Sequence, residues 1–231
     1  MKMYKIKKIE FTLFEVSIPN ICSDQSGFGV WYEPGFNSQQ KRFAIQIFTE
    51  EGFIGEYIPP RSRATVVMPA SIALSNFIIN KSCLERENHY QTMRRATKHV
   101  GEAGIGALDI ALWDLAGKIS GQSISTMLGG YRKKLPAYAS TISGDHHSGG
   151  LNSPKAYADF AEECIEMGYK AYKIHGWKEG NVEEEKELLK AVGNRVAGKI
   201  KIMYDSACHL STLADALEIG RICDEYGFYW Y

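Results

Sequence analysis

From residue 137 to the last residue, short apolar runs alternate with segments of helical spacing, and that order leaves few folds open. Strand-like runs at 137–141, 169–175, 199–205 and 228–231 are separated by helical stretches at 154–167, 183–192 and 213–226. Strand, helix, strand at this period is the pattern of parallel βα units, an α/β architecture. In such units ligands bind beyond the C-terminal ends of the strands, where the connecting loops converge. That rule selects Ser143, His175 and Asp205 as mouth positions.

The stretch Gly168-Tyr-Lys-Ala-Tyr-Lys-Ile-His-Gly176 carries the clearest chemical signal. Residues two apart on a strand share a face, so Ala171, Lys173 and His175 lie together while Tyr172 and Ile174 point the other way. A cation beside a titratable imidazole suits proton transfer. A lysine at a strand end is, taken alone, ordinarily a solvated one.

Upstream, residues 6–16, 42–49 and 53–57 read as strands, the last two joined by the turn Glu50-Glu51-Gly52, and together they form a small antiparallel meander. Residues 19–40 read as a long polar and aromatic loop carrying Asp24, Phe28, Trp31 and Tyr32. Loops of that length in compact domains serve as lids or are disordered, and the aromatics favour a lid. After Pro59-Pro60 the spacing turns helical over 64–79, 85–97 and 101–120, with a short helix at 123–128 stopped by Gly129-Gly130. In the third of these Ile105, Leu108, Leu112 and Leu115 form the apolar stripe, while Gly104, Ala107, Ala111 and Ala116 permit close packing. Asp109 and Asp114 have no titratable partner beside them and read as hydrogen-bonded helix residues.

Composition narrows the partners. Lys plus Arg and Asp plus Glu both number 27, so no overall basic field points to nucleic acid or an anionic membrane. The first residues lack the apolar core of a secretory signal, and no run of about 18 apolar residues is present to span a bilayer. The five cysteines are scattered without a CxxC pair, which fits reduced thiols and a cytoplasmic protein. A small-molecule ligand is the expected partner.

Taken in order, the meander, the run Gly106-Ala-Leu-Asp-Ile-Ala-Leu-Trp-Asp-Leu-Ala-Gly-Lys118, then Leu128-Gly-Gly-Tyr-Arg-Lys-Lys-Leu-Pro-Ala-Tyr-Ala139, then Gly-Tyr-Lys-Ala-Tyr-Lys173 and Met-Tyr-Asp205, resemble the enolase superfamily in its mandelate racemase and muconate lactonizing enzyme branch. The resemblance implies an α+β capping domain over residues 1–128, with 19–40 as its substrate-closing loop. Residues 129–231 would be the first half of a modified TIM (β/α) barrel, breaking off in the fourth strand. It implies a base on the second barrel strand in a Lys-X-Lys motif, and Mg²⁺ held by carboxylates from the third, fourth and fifth strands. Lys173 matches the first lysine, His175 falls on the second, and Asp205 matches the first metal ligand. Asp24, Trp31 and Tyr32 would contact substrate. A homo-oligomer is also implied.

The implied reaction is removal of the proton α to a carboxylate, giving an enediolate whose charge a divalent cation would offset; enolase-superfamily sites are themselves the stock example of a Lys or His base beside Mg²⁺. Histidine in place of the second lysine matters. A lysine base has to come down about three units from roughly 10.4, whereas histidine starts near 6.5. His175 is therefore the expected base, with Lys173 on the substrate carboxylate or oxyanion, and the reading tilts to sugar-acid dehydration over racemisation, epimerisation or cycloisomerisation. Asp205-Ser-Ala-Cys-His209 departs from the family's usual Asn two residues after the aspartate and places Cys208 and His209 near the mouth. A (β/α)₈ barrel needs roughly 200 residues or more, so this chain is expected to hold half of one and to be inactive alone. A non-catalytic relic kept as an interaction partner is the alternative from another class.

Overall fold

The computed structural model describes residues 4–24, 29–60, 64–147 and 149–231. Phe28, expected in the lid, lies outside them. The chain groups into two compact units, residues Met1–Ser17 with Gln39–Lys133, and Ile18–Ser38 with Lys134–Tyr231. Among the described residues no helix is long and apolar enough to cross a membrane.

One sheet is ordered β1 (Ile6–Ser23), β2 (Val30–Thr49), β3 (Ile54–Tyr57), with β2 and β3 antiparallel; the first unit holds β1 up to Ser17, β2 from Gln39 and all of β3. The helices α1 (Ala64–Ser75), α2 (Arg86–Ala96), α3 (Ile105–Ser120) and α4 (Ile124–Met127) follow. α3 buries the stripe expected of it, Ile105, Leu108, Leu112 and Leu115, against a core containing Ile45 and Ile47 of β2. The small residues let backbones close up: a Cβ on Gly55 of β3 would stand 2.5 Å from the Leu115 Cβ. Asp114 accepts the Glu56 N–H at 2.8 Å and pairs with Lys118 at 2.9 Å, so it pins helix to strand as a structural residue.

The expected loop at 19–40 is instead largely strand. β1 continues to Ser23 and β2 begins at Val30. Its polar residues stitch the hairpin: the Gly35 N–H donates to Asn20 Oδ1 at 2.9 Å, and Asp24 N–H meets Gly29 O at 3.1 Å. Glycine and serine suggested irregular chain, but the cross-strand partners they offer were invisible in a local reading.

The second unit holds the parallel sheet β4 (Ala139–Ser140), β5 (Ala171–His175), β6 (Lys201–Asp205), alternating with α5 (Pro154–Glu166), α6 (Val182–Val196) and α7 (Leu213–Glu225). Each helix starts on a side-chain cap: Ser153 accepts from Ala156 N–H, Asn181 from Glu183 and Glu184, and Thr212 forms a capping box with Asp215. Beyond α7, Trp230 makes an isolated parallel bridge with Met203, with Tyr229 N–H donating to Ile202 O at 2.7 Å and Tyr204 N–H to Trp230 O at 3.1 Å. Tyr172 and Ile174 are wholly buried among Leu188, Leu189, Val192 and Ala161. Burying side chains of this size contributes about 2 kcal/mol each, which fixes the strand's register and leaves Lys173 and His175 on the other, more open face. The whole is a partial TIM barrel preceded by an α+β region.

Candidate active site

β5 and β6 run parallel with His175 opposite Asp205 and Lys173 opposite Met203, so their C-terminal ends coincide. Lys173 Nζ donates to Asp205 Oδ2 at 2.7 Å, and His175 Nε2 stands 4.0 Å from the same oxygen. On its other side His175 Nδ1 lies 2.8 Å from Ser143 Oγ, while its backbone N–H donates to Thr141 Oγ1 at 3.0 Å. The three mouth positions are therefore contiguous. Burial works to raise the Asp205 carboxyl, but the Lys173 ammonium, the Ala207 N–H and His175 outweigh it, holding the group below the usual carboxylate range. The Ala207 N–H donates to Oδ1 at 3.0 Å from a turn in which Ala207 and Cys208 both take left-handed φ, 52° and 65°. Such φ values in residues with a Cβ are costly and recur at functional sites. Cys208 is exposed, and His209 packs on Gly180, whose φ of 67° and missing Cβ make room for it.

The hairpin residues divide. Trp31 forms a parallel bridge with Ser143, and the Tyr32 N–H donates to Ser143 O at 3.1 Å, which ties both to the residue that holds His175. The Tyr32 ring lines a groove of about 710 Å³ with Phe160, Leu151 and Pro34, and burial pushes its hydroxyl above the usual tyrosine range. Asp24 Oδ2 accepts the Gly29 N–H at 3.0 Å.

Sequence reasoning missed Glu185. It reads as one of three acids in the first turn of α6, a solvated face, yet it is 1% exposed. Oε1 accepts the Trp177 N–H at 2.5 Å, Tyr204 lies beside the carboxyl group, and Oε2 has no partner in hydrogen-bond geometry. Gly176 is required by this arrangement, since a Cβ there would collide with the carboxylate. Burial pushes the Glu185 carboxyl up to about 7 from 4.5, against the opposing pull of the Trp177 N–H and Tyr204. The folded state thus holds the proton more tightly than the unfolded one. The stabilisation is full below the ordinary value and is lost as pH rises through the folded value, on the order of 3 kcal/mol in all. Glu185→Gln is expected to flatten the stability profile between about pH 5 and 8 in urea melts; an unchanged slope would contradict this.

Magnesium requires near-octahedral oxygen coordination. Among the described residues no three His, Cys, Asp or Glu side chains converge on a metal position, and the single candidate carboxylate, Asp205, is engaged by Lys173. The residues present do not by themselves fit the ion.

Residues 35–129 match the mandelate racemase / muconate lactonizing enzyme N-terminal domain model. That region is an enolase-superfamily N-terminal domain. The chain is 34% identical over 141 residues to arabinonate dehydratase of Saccharolobus solfataricus, covering 61% of this chain and 36% of that protein. It is 29% identical over 212 residues to D-galactarolactone cycloisomerase of Agrobacterium fabrum, covering 85% and 53%. Among solved structures it superposes on D-glucarate dehydratase from Agrobacterium tumefaciens, complexed with magnesium, with a TM-score of 0.85 and 28% identity, over 99% of this chain and 60% of that one. These relatives are enolase-superfamily enzymes, and the chain spans about half the length of the curated ones or less.

Proposed function

We propose that this chain supplies the proton-handling half of a sugar-acid dehydratase. The observation that carries the reading is the cluster at the ends of β5 and β6, where Lys173, His175 and Asp205 meet around one carboxylate oxygen. In the neutral Nδ1–H tautomer His175 donates to Ser143 Oγ, and Nε2 is the ring nitrogen assigned to take the α-proton. The α C–H bond breaks, its electron pair delocalises into the substrate carboxylate, and the Lys173 ammonium offsets the charge that develops there. The enediolate electron pair then forms the Cα–Cβ double bond as the β C–O bond breaks, the departing hydroxide takes the proton held on the His175 imidazolium and leaves as water, and the enol tautomerises to a 2-keto-3-deoxy acid. Trp31 and Tyr32 would border the substrate.

Asp205 is the residue of this chain that would give an oxygen to a magnesium ion, the metal present in the D-glucarate dehydratase structure. Such an ion would supply positive charge beside the substrate carboxylate. A cycloisomerase is the second reading, favoured by the 85% of this chain that matches one.

The test is proton NMR in deuterated water with magnesium and a panel of sugar acids, using the protein as its gene encodes it. A 2-keto-3-deoxy product is expected. Inversion at the α carbon without loss of water, or lactone isomerisation, would overturn dehydration in favour of the alternatives.

A further inference from the structure

A lysine with no part in the proposed chemistry stands where the hairpin meets the mouth loops. The Lys178 ammonium lies 2.6 Å from Asp145 Oδ2 and, at the same time, 4.5 Å from the centre of the Trp31 ring. Asp145 is 8% exposed, and its other oxygen accepts the His146 N–H at 2.7 Å, so the carboxylate is fixed before it meets the lysine. Burial works to raise Asp145, but the Lys178 bond and charge outweigh it and keep the carboxyl ionised below its ordinary range. Lys178 is anchored by its own backbone as well, its N–H donating to Gly144 O at 3.2 Å. Trp31 in turn is steered by its Nε1, which donates to Glu33 Oε2 at 3.0 Å, and Glu33 Oε1 faces His147 Nδ1 at 3.3 Å.

We infer that Asp145 and Lys178 are positioning residues that hold the Trp31-Tyr32 stretch of the hairpin on the mouth and so keep Ser143 in place beside His175. A lysine on a flexible stem loses rotamer freedom when it settles on an aromatic ring. Here Asp145 has already removed that freedom, so the ammonium is presented to the Trp31 face at little further cost, and a partly desolvated cation–π contact is stronger than one in open water. The same ring sits on the residue paired with Ser143, and the next residue donates to Ser143 O. Force on the hairpin is therefore force on the hydroxyl that orients the imidazole. The inference stands apart from any catalytic activity, since every contact it uses is within the chain.

Residue-resolved amide exchange tests it. Lys178→Met is expected to speed exchange of the Tyr32 amide by about tenfold or more, Lys178→Arg to stay within about threefold of the parent, and the β5 and β6 amides to keep their protection in both. Trp31→Leu removes the other partner and is expected to match Lys178→Met, with the double variant no faster than the faster single one. Tyr32 exchange within about threefold of the parent in either Lys178→Met or Trp31→Leu, or effects that multiply in the double variant, would overturn the inference. Should Lys178→Met unfold the unit, Trp31→Leu alone decides by the same threshold.

Discussion

Lys173→Met is expected to leave the fold intact and to lower turnover of a sugar acid by about a thousandfold or more, the range for removing a group that acts on the transferred proton or on the developing charge. The substitution keeps most of the apolar stem and deletes only the ammonium, which donates to Asp205 at 2.7 Å. Two effects add. In the proposed reaction the substrate would lose the cation facing its carboxylate, and Asp205 loses the partner that holds its carboxyl low. Steady-state kinetics, with circular dichroism to verify folding, measure the first. A loss smaller than about tenfold would show that Lys173 is a bystander.

Gly144→Ala is expected to be the most damaging small substitution near the mouth. A Cβ at this position would collide with the Leu151 carbonyl oxygen and the Tyr157 hydroxyl, one of them rigid backbone. The Gly144 N–H also donates to that hydroxyl at 2.7 Å, so the clash cannot be relieved by moving the ring away without losing a buried hydrogen bond. Overpacking of this kind costs about 3 kcal/mol, or about 6 to 12 °C in the melting of a chain this size. Because Gly144 follows Ser143, the strain passes directly to the His175 contact. Thermal melting checks the prediction, and a shift under about 2 °C would contradict it.

The residues of the site were legible in the sequence to the extent that strand geometry alone places them. Period-two alternation put Lys173 and His175 on one face, the βα order put that face at a mouth, and register did the rest by setting His175 opposite Asp205. Ser143 was selected by the same rule without any hint that its hydroxyl would reach the imidazole. What was not legible depends on neighbours remote in sequence. Glu185 sits in an acidic run that looks solvated, and only the packing of α6 on the end of β5 buries it. Lys178 and Asp145 belong to different loops, 33 residues apart, and nothing local pairs them. The strand at 18–23 and 30–38 was hidden because its glycines and serines read as loop, while the hydrogen bonds that make it strand come from the facing segment.

His175 is where the chemistry of the resemblance and the chemistry of this chain part, because the second lysine of the family motif is an imidazole here. Its Nδ1 lies 2.8 Å from Ser143 Oγ and its Nε2 4.0 Å from Asp205 Oδ2, and it is the base of the proposed reaction. The most direct measurement is exchange of the substrate α-proton with deuterated solvent, followed by proton NMR in the parent protein and in His175→Ala. With the protein as its gene encodes it, the account predicts exchange in the parent and its loss in the variant. Exchange retained at the parent rate in His175→Ala would remove the histidine from its role as base and contradict the central claim.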